Sequence, residues 1–357
     1  MGDVPMYPFK PGSFAPRNAW YVAAFRDAVG RELVERTIVG TPVVLYRKED
    51  GTPVALDGRC PHRHFPLGKS CLKGDTIVCG YHGITFGPDG QCVNVPSQTH
   101  VPRALRVPAY PVVEHGMWLW VWVGDADKAD PALLPPLADI GLGGGPEGEG
   151  LTPYTMFFHE VACRYQLLND NLFDLSHLAF LHGSSIGTLE NASTPEELVK
   201  RPGFVSSMRH IRDAPCPPLM HNLGVYPTDT IDRSMGMESY LPGFHCGITL
   251  VSYPASHPQA PGQFVSRNRV YHAITPATPR SSYYHFAVAV EDGTDVERMR
   301  TSLAPVIDED IFASVEIERM IDLYDGVPPP ELMVKADTNA VEGRRMLQAM
   351  MDAEAAG

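Results

Sequence analysis

Short apolar runs broken by turn residues fill the first third of the chain. The stretch TPVVLYRKEDGTPVAL, residues 41–56, sets two β-rich runs around a Glu-Asp-Gly turn and predicts a hairpin. FGPDGQCVNV, residues 86–95, repeats the device around Pro88, Asp89 and Gly90. MWLWVWVG, residues 117–124, is apolar without interruption, the mark of a strand buried on both faces, and its three tryptophans are expected in the core. Residues 126–150 are dense in Pro, Gly and acidic side chains and read as a linker. Its glycines are not followed by Gly-Lys-Ser/Thr, so no phosphate loop is expected there.

Beyond the linker the periods lengthen. A β-like run, YTMFFHEVACRYQ, leads into a helical patch near 166–182, and the region after it reads as loop-rich. Strand-like runs follow at 244–253, 268–275 and 282–291, and two helical patterns close the chain at about 296–325 and 338–353. The second opens on capping residues, with Asn339 and Glu342 spaced as in a capping box. The expected layout is an N-terminal segment 1–17, an all-β domain 18–125, the linker 126–150 and a second, α+β domain 151–357.

Composition narrows the function classes. The chain has 357 residues, 44% hydrophobic and 20% charged, with a net charge of −13. That balance fits an ordinary soluble protein and argues against a nucleic-acid surface. No run approaches the ~18 apolar residues of a membrane span. The start, MGDVPMYPFKPGSF, lacks the basic and apolar regions of a secretory signal. Seven cysteines without a disulfide-like framework fit a reducing compartment, so a cytoplasmic protein is expected; Cys71, Cys92, Cys163, Cys216 and Cys246 read as small buried residues.

The chemistry concentrates in CPHRHFPLGKSCLKGDTIVCGYH, residues 60–82. It holds two Cys-His pairs, Cys60-x-His62 and Cys79-x-x-His82. A common zinc finger groups cysteines with cysteines and histidines with histidines. Here the types interleave, which suits a binuclear cluster in which Cys60 and Cys79 bind one iron and His62 and His82 the other. Neutral imidazoles in place of two thiolates raise the potential and make such a cluster a usable electron relay. A structural zinc site is the competing reading. A second constellation lies in NDNLFDLSHLAFLHG, residues 169–183. Asp174 and His177 are i, i+3 neighbours on a helix face. His182, five residues on, falls about 140° away, so the helix must end or distort for both imidazoles to meet one metal.

Two imidazoles and a carboxylate would form a facial triad that leaves iron positions open to dioxygen. Asp174 could be that carboxylate, or could accept the second ring N–H of His177. The better candidate is Asp310, which shares an apolar stripe with Ile307, Ser314, Ile317 and Met320 or Ile321; Glu309 and Glu316 fall on a more polar face.

CPHR at 60–63 and CGYHGITF at 79–86 resemble the Rieske 2Fe–2S motif residue for residue. Neither loop carries the additional cysteine pair of respiratory-complex Rieske proteins, which points to the oxygenase branch. NAWYVAAF at 18–25, HAITPAT at 272–278, DEDIFASVEIER at 308–319 and ADTNAVEGRR at 336–345 extend the likeness over nearly the whole chain. It is similar to the Rieske non-heme iron oxygenases of the vanillate O-demethylase and dicamba monooxygenase type. The resemblance implies a helix-grip-like catalytic domain and a mononuclear Fe(II) held by His177, His182 and Asp310. It places Asn171 beside that iron and makes Asp174 the bridge to the neighbouring subunit's cluster histidine, the position of His82. It further implies a head-to-tail homotrimer, O2 as co-substrate, and electrons from a separate NAD(P)H reductase, directly or through a ferredoxin. His272 matches a position that contacts substrate carboxylate in part of the group. The amide and tryptophan that accompany it in other members are not evident here, so an aromatic acid and a neutral aromatic both stay open. O-demethylation leads, with N-dealkylation, ring hydroxylation and a pure electron carrier as the other readings.

Overall fold

The computed structural model describes residues 6–143, 148–222 and 228–356. The chain divides into two compact units: Pro16–Leu134 together with Thr275–Thr278, and the remainder of the described chain. Part of the expected linker, 144–147, lies outside the described residues.

The first unit is all β apart from short turns. Its three sheets contain three, three and four strands. Both expected hairpins form: Thr41–Arg47 pairs with Pro53–Asp57, and Thr85–Phe86 with Cys92–Asn94. Gly90 has φ +77°, and a Cβ there would stand 2.0 Å from the Val107 carbonyl oxygen, so this turn admits only glycine. Trp118–Trp122 is the central strand of its sheet and every residue in it is buried, including all three tryptophans. Val44, Tyr46, Leu56, Ile77 and Phe86 build a core under the two cysteine loops, and Cys60 and Cys79 belong to it.

The second unit is a seven-stranded antiparallel sheet with helices. Its strand order is Leu151–Val161, Ser281–Glu291, Phe264–Thr278, Phe244–Ser252, Thr230–Tyr240, Phe204–Pro215, Glu196–Arg201. The region read as loop-rich therefore supplies three strands. Their apolar signal is thin: EELVKR is mostly charged and exposed, and FVSSMRHIRDAP buries Ser207 and Arg209 among its apolar residues, so neither shows a clean alternation. The helices are Tyr165–Phe173, Glu190–Ser193, Pro218–Asn222, Val296–Asp322 and Thr338–Ala356.

Several local expectations are corrected. Asn339 lies buried inside the last helix rather than capping it; Asp337 accepts from Val334 N, and the Thr338 hydroxyl donates to the Lys335 carbonyl. On Val296–Asp322 the buried stripe is Val306, Ile307, Asp310, Ser314, Glu318 and Ile321, while Ile317 and Met320 are exposed. Glu318 belongs inside because it closes a buried ion pair. Its carboxylate accepts from Arg164 N, Nε and Nη2 at 2.9, 2.7 and 2.6 Å and ties the start of Tyr165–Phe173 to the long helix. Cys71 is exposed, and Cys92 and Cys216 are half-buried, rather than buried.

Candidate metal centres and cavity

The two cysteine loops share one backbone design. Cys60 N donates to Phe65 O and His64 N to Cys60 O; likewise Cys79 N donates to Ile84 O and Gly83 N to Cys79 O. The fourth residue after each cysteine takes a left-handed conformation, His64 at φ +58° and Gly83 at φ +71°. Each tip is thereby folded to present its cysteine inward. Cys60 and Cys79 are buried, and burial with the neighbouring Cys79 raises the Cys60 thiol. His62 and His82 are exposed, with ring centroids 4.7 Å apart. The four residues thus sort into an inner thiol pair and an outer imidazole pair. Among the described residues the one group of three or more metal-ligating side chains that converges on a point lies elsewhere. Two pairs suit a binuclear cluster better than a single zinc ion.

The converging group is His177, His182 and Asp310, whose ligating atoms all lie within 4.8 Å of one another. The required helix break is present. Tyr165–Phe173 ends at Asp174, which turns to extended geometry at φ −119°, ψ 99°, and a short 3-10 turn, Leu175–Ala179, follows. Asp174 drives the break: its carboxylate accepts from both Ser176 N and Ser176 Oγ at 2.8 Å, competing with the helix. The expectation that Asp174 and His177 share a helix face is therefore wrong. The backbone carbonyl of Asp174, not its carboxylate, meets His177 Nδ1 at 2.5 Å. Arg209, buried on a neighbouring strand, stands 4.0 Å from the carboxylate.

Asp310 is buried and faces His182 Nε2 at 2.9 Å and His177 Nε2 at 3.6 Å. Asn171 Nδ2 donates to the same Asp310 oxygen at 3.1 Å. Sequence reasoning missed Glu309: it was placed on the polar face, yet its carboxylate takes His182 Nδ1 at 2.7 Å. The signal available was adjacency to Asp310, since a helix turns about 100° per residue and two successive carboxylates can flank one imidazole. Burial lowers the His177 pKa; for His182 burial opposes a charge, but Asp310 and Glu309 outweigh it and raise the pKa. A buried carboxylate between two imidazoles, with a second carboxylate behind one ring, is a donor set that calls for a cation. It fits the facial arrangement of a non-heme iron site.

An apolar cavity of about 230 Å³ opens on these three residues. Met235, Met237, Ile248, Val270, Phe286 and Leu303 are among its walls, and His272 reaches it from Phe264–Thr278. A ~150 Å³ cavity holds benzene, so this one accepts a single substituted ring. His272 is buried, not half-buried as a strand residue might be, and burial pushes its pKa down to about 4.

Fold and sites together define a class, the Rieske non-heme iron oxygenases, whose cofactors are a 2Fe–2S cluster and a mononuclear iron. Residues 19–111 match the Rieske [2Fe-2S] domain, and residues 161–353 match the vanillate O-demethylase oxygenase C-terminal domain. The chain belongs to that vanillate O-demethylase oxygenase family. It is 29% identical over 353 residues to the vanillate O-demethylase oxygenase subunit of a Pseudomonas species, covering 95% of this chain and 96% of the relative. It is 30% identical over 349 residues to the oxygenase component of dicamba O-demethylase from Stenotrophomonas maltophilia, covering 95% and 99%. The crystal structure of dicamba monooxygenase with non-heme iron and dicamba superposes with a TM-score of 0.79 at 28% identity, covering 95% of this chain and 98% of that one. No helix among the described residues is long and apolar enough to cross a membrane.

Proposed function

We propose that the chain is the terminal oxygenase component of an O2-dependent O-demethylase acting on a methoxylated aromatic compound. Cys60 and Cys79 hold one iron of the cluster and His62 and His82 the other; His177, His182 and Asp310 hold the mononuclear iron. When bound, the cluster relays single electrons and the mononuclear iron activates dioxygen. The residues around them set the conditions. Glu309 and the Asp174 carbonyl orient the two imidazoles through their second ring nitrogens, and Asn171 holds the Asp310 carboxylate. The apolar walls exclude water and place a methoxy carbon against the open side of the triad. One methoxyarene, one dioxygen, two electrons and two protons then yield a hemiacetal and water, and the hemiacetal collapses to a phenol and formaldehyde.

Residues 18–125 form the cluster domain and 151–357 the catalytic domain, joined by 126–150. The electrons come from a separate NAD(P)H reductase, through a ferredoxin or directly, as the relatives' description as oxygenase components supports. A head-to-tail homotrimer brings each cluster to its neighbour's iron, with Asp174 at the crossing, and the protein works in the cytoplasm on a small aromatic substrate. The observation that carries the reading is the convergence of His177, His182 and Asp310 on an apolar cavity of single-ring size. The test is formaldehyde release from methoxyarenes with a surrogate reductase, wild type against His177→Ala. The variant should keep the Rieske EPR signal, lose the mononuclear iron and release no formaldehyde. Unchanged turnover would defeat the assignment.

A further inference from the structure

The cavity changes character along its length. Its sheet wall can be followed rung by rung, because residues paired across neighbouring strands point to the same face. His272, paired with His245 and through it with Ser239, stands on the rung at the triad, where the charges of Asp310, His177 and His182 act on it. The next rung outward is Val270, Gly247 and Met237, and it is apolar. Asn268, Thr249 and Met235 follow, and there an amide and a hydroxyl enter the wall. Ser266 and Arg233, each paired with Val251, line the far end. Three rungs therefore lie between His272 and Arg233, about 20 Å of strand at ~3.3 Å per residue.

Arg233 is a cation held in place. It is 3% exposed, and its Nη1 and Nη2 donate to the Ile186 carbonyl and Asn191 Oδ1 at 3.0 and 2.9 Å. Asn191 is itself fully buried and locked, accepting from Thr188 N at 2.8 Å and donating to Met235 Sδ at 3.0 Å. These bonds fix the plane of the guanidinium at the end of the cavity before any ligand arrives. Arg267 lines the same space, so once Asp310 is given to the iron the lining holds two guanidinium groups against the single carboxylate of Glu291. The polarity thus rises from the iron outward and ends on positive charge.

Taking the O-demethylase reading as its basis, we propose that Arg233 is the anchor for a carboxylate carried on a side chain of the methoxyarene, away from the ring. Of the three rungs, a para-substituted ring covers about one and the arginine side chain up to about one. The remainder is filled by two or three methylenes and a carboxylate hydrogen-bonded to the guanidinium. A carboxylate set directly on the ring stops short, against the apolar rung. The substrate class is therefore a methoxyaryl-alkanoate, with Thr249 and Asn268 beside its chain. The test is a series of 4-methoxybenzoate, 4-methoxyphenylacetate, 3-(4-methoxyphenyl)propanoate and 4-(4-methoxyphenyl)butanoate, each with its methyl ester. Binding to the iron-loaded holoenzyme is measured anaerobically by calorimetry near pH 7.5, and formaldehyde release is measured separately. The propanoate or butanoate should bind at least about tenfold tighter than both the benzoate and its own ester, as a charge-assisted hydrogen bond provides. Arg233→Met should bring the acid-to-ester ratio of the long acids close to one, a change that general loosening of the fold would not give. Arg233→Lys, which keeps the charge without the fork, should retain part of the ratio. Should Arg233→Met not fold, the wild-type series decides the matter by itself. Benzoate binding as tightly as the longer acids, esters matching their acids, no member of the series binding, or an undiminished ratio in folded Arg233→Met would each overturn the inference. Selective binding of the long acids without formaldehyde from any of them would leave it standing and overturn O-demethylation instead.

Discussion

Glu309 is the most direct handle on how the protein, rather than its cofactor, sets metal affinity. Its carboxylate is 2.7 Å from His182 Nδ1 while Nε2 of the same ring faces Asp310 at 2.9 Å. An acceptor in that position fixes the tautomer, aims Nε2 at the metal and makes the ring more basic. Removing such partners costs roughly 10–100-fold in metal affinity, about 1.4–2.7 kcal/mol. The Glu309 side chain is 34% exposed, so water can replace part of what is lost. The lower part of the range applies to Glu309→Ala, roughly 10–30-fold. Glu309→Gln keeps a carbonyl acceptor and loses only the charge, so about threefold is expected. The assay is Fe(II) titration of the metal-depleted protein against a competing chelator. The Rieske optical band serves as the internal control, because the cysteine loops are untouched. Equal affinity in wild type and Glu309→Ala would refute the orienting role. Loss of the Rieske band along with the iron would show that the substitution acts through the fold.

The buried Arg164–Glu318 pair, with side chains 8% and 4% exposed, gives a stability prediction. Glu318→Ala should destabilise by about 3–5 kcal/mol in denaturant titration, whereas the double variant Arg164→Met, Glu318→Leu should recover most of it. At Gly343 a Cβ would meet the Phe173 ring at 2.5 Å, so Gly343→Ala should cost about 1–3 kcal/mol in thermal unfolding. Because Phe173 ends the helix carrying Asn171, the same variant should weaken Fe(II) retention measurably; unaltered retention would separate packing from the site. Chelation of the mononuclear iron should abolish formaldehyde release while leaving the reduced Rieske EPR signal intact, and re-addition of Fe(II) should restore turnover.

Much of this was legible from residues because metal ligands are chemically unusual and closely spaced. The interleaved Cys-His pairs stand out on their own, and the D-x-x-H-x-x-x-x-H run gains its meaning from following them. Asp310 was legible because an acid on an apolar stripe needs a reason to be there. Glu309 was not, since a helical wheel assigns faces without knowing that His182 approaches from the side. The break at Asp174 was anticipated from the 140° problem, but its cause, capture of Ser176 by the carboxylate, depends on a competition that periodicity does not register. The three middle strands were lost for a related reason: Ser207, Arg209, Asp232 and Arg233 are polar yet buried, and Glu196–Arg201 is mostly charged, so no clean alternation marks the run. The graded wall that ends on Arg233 arises from pairing across adjacent strands, which no local pattern encodes.

The triad and the walls of the cavity come from different parts of the chain. The proposed ligands sit on a 3-10 turn, the loop after it and the long helix, whereas Met235, Met237, Ile248, Val270, Phe286 and His272 project from sheet strands. Reactivity and discrimination are therefore separately heritable. Substitutions along the strands can retool the scaffold for a new compound while the oxygen-activating apparatus is left alone, and a library confined to those strand positions would explore substrates without sacrificing the catalyst.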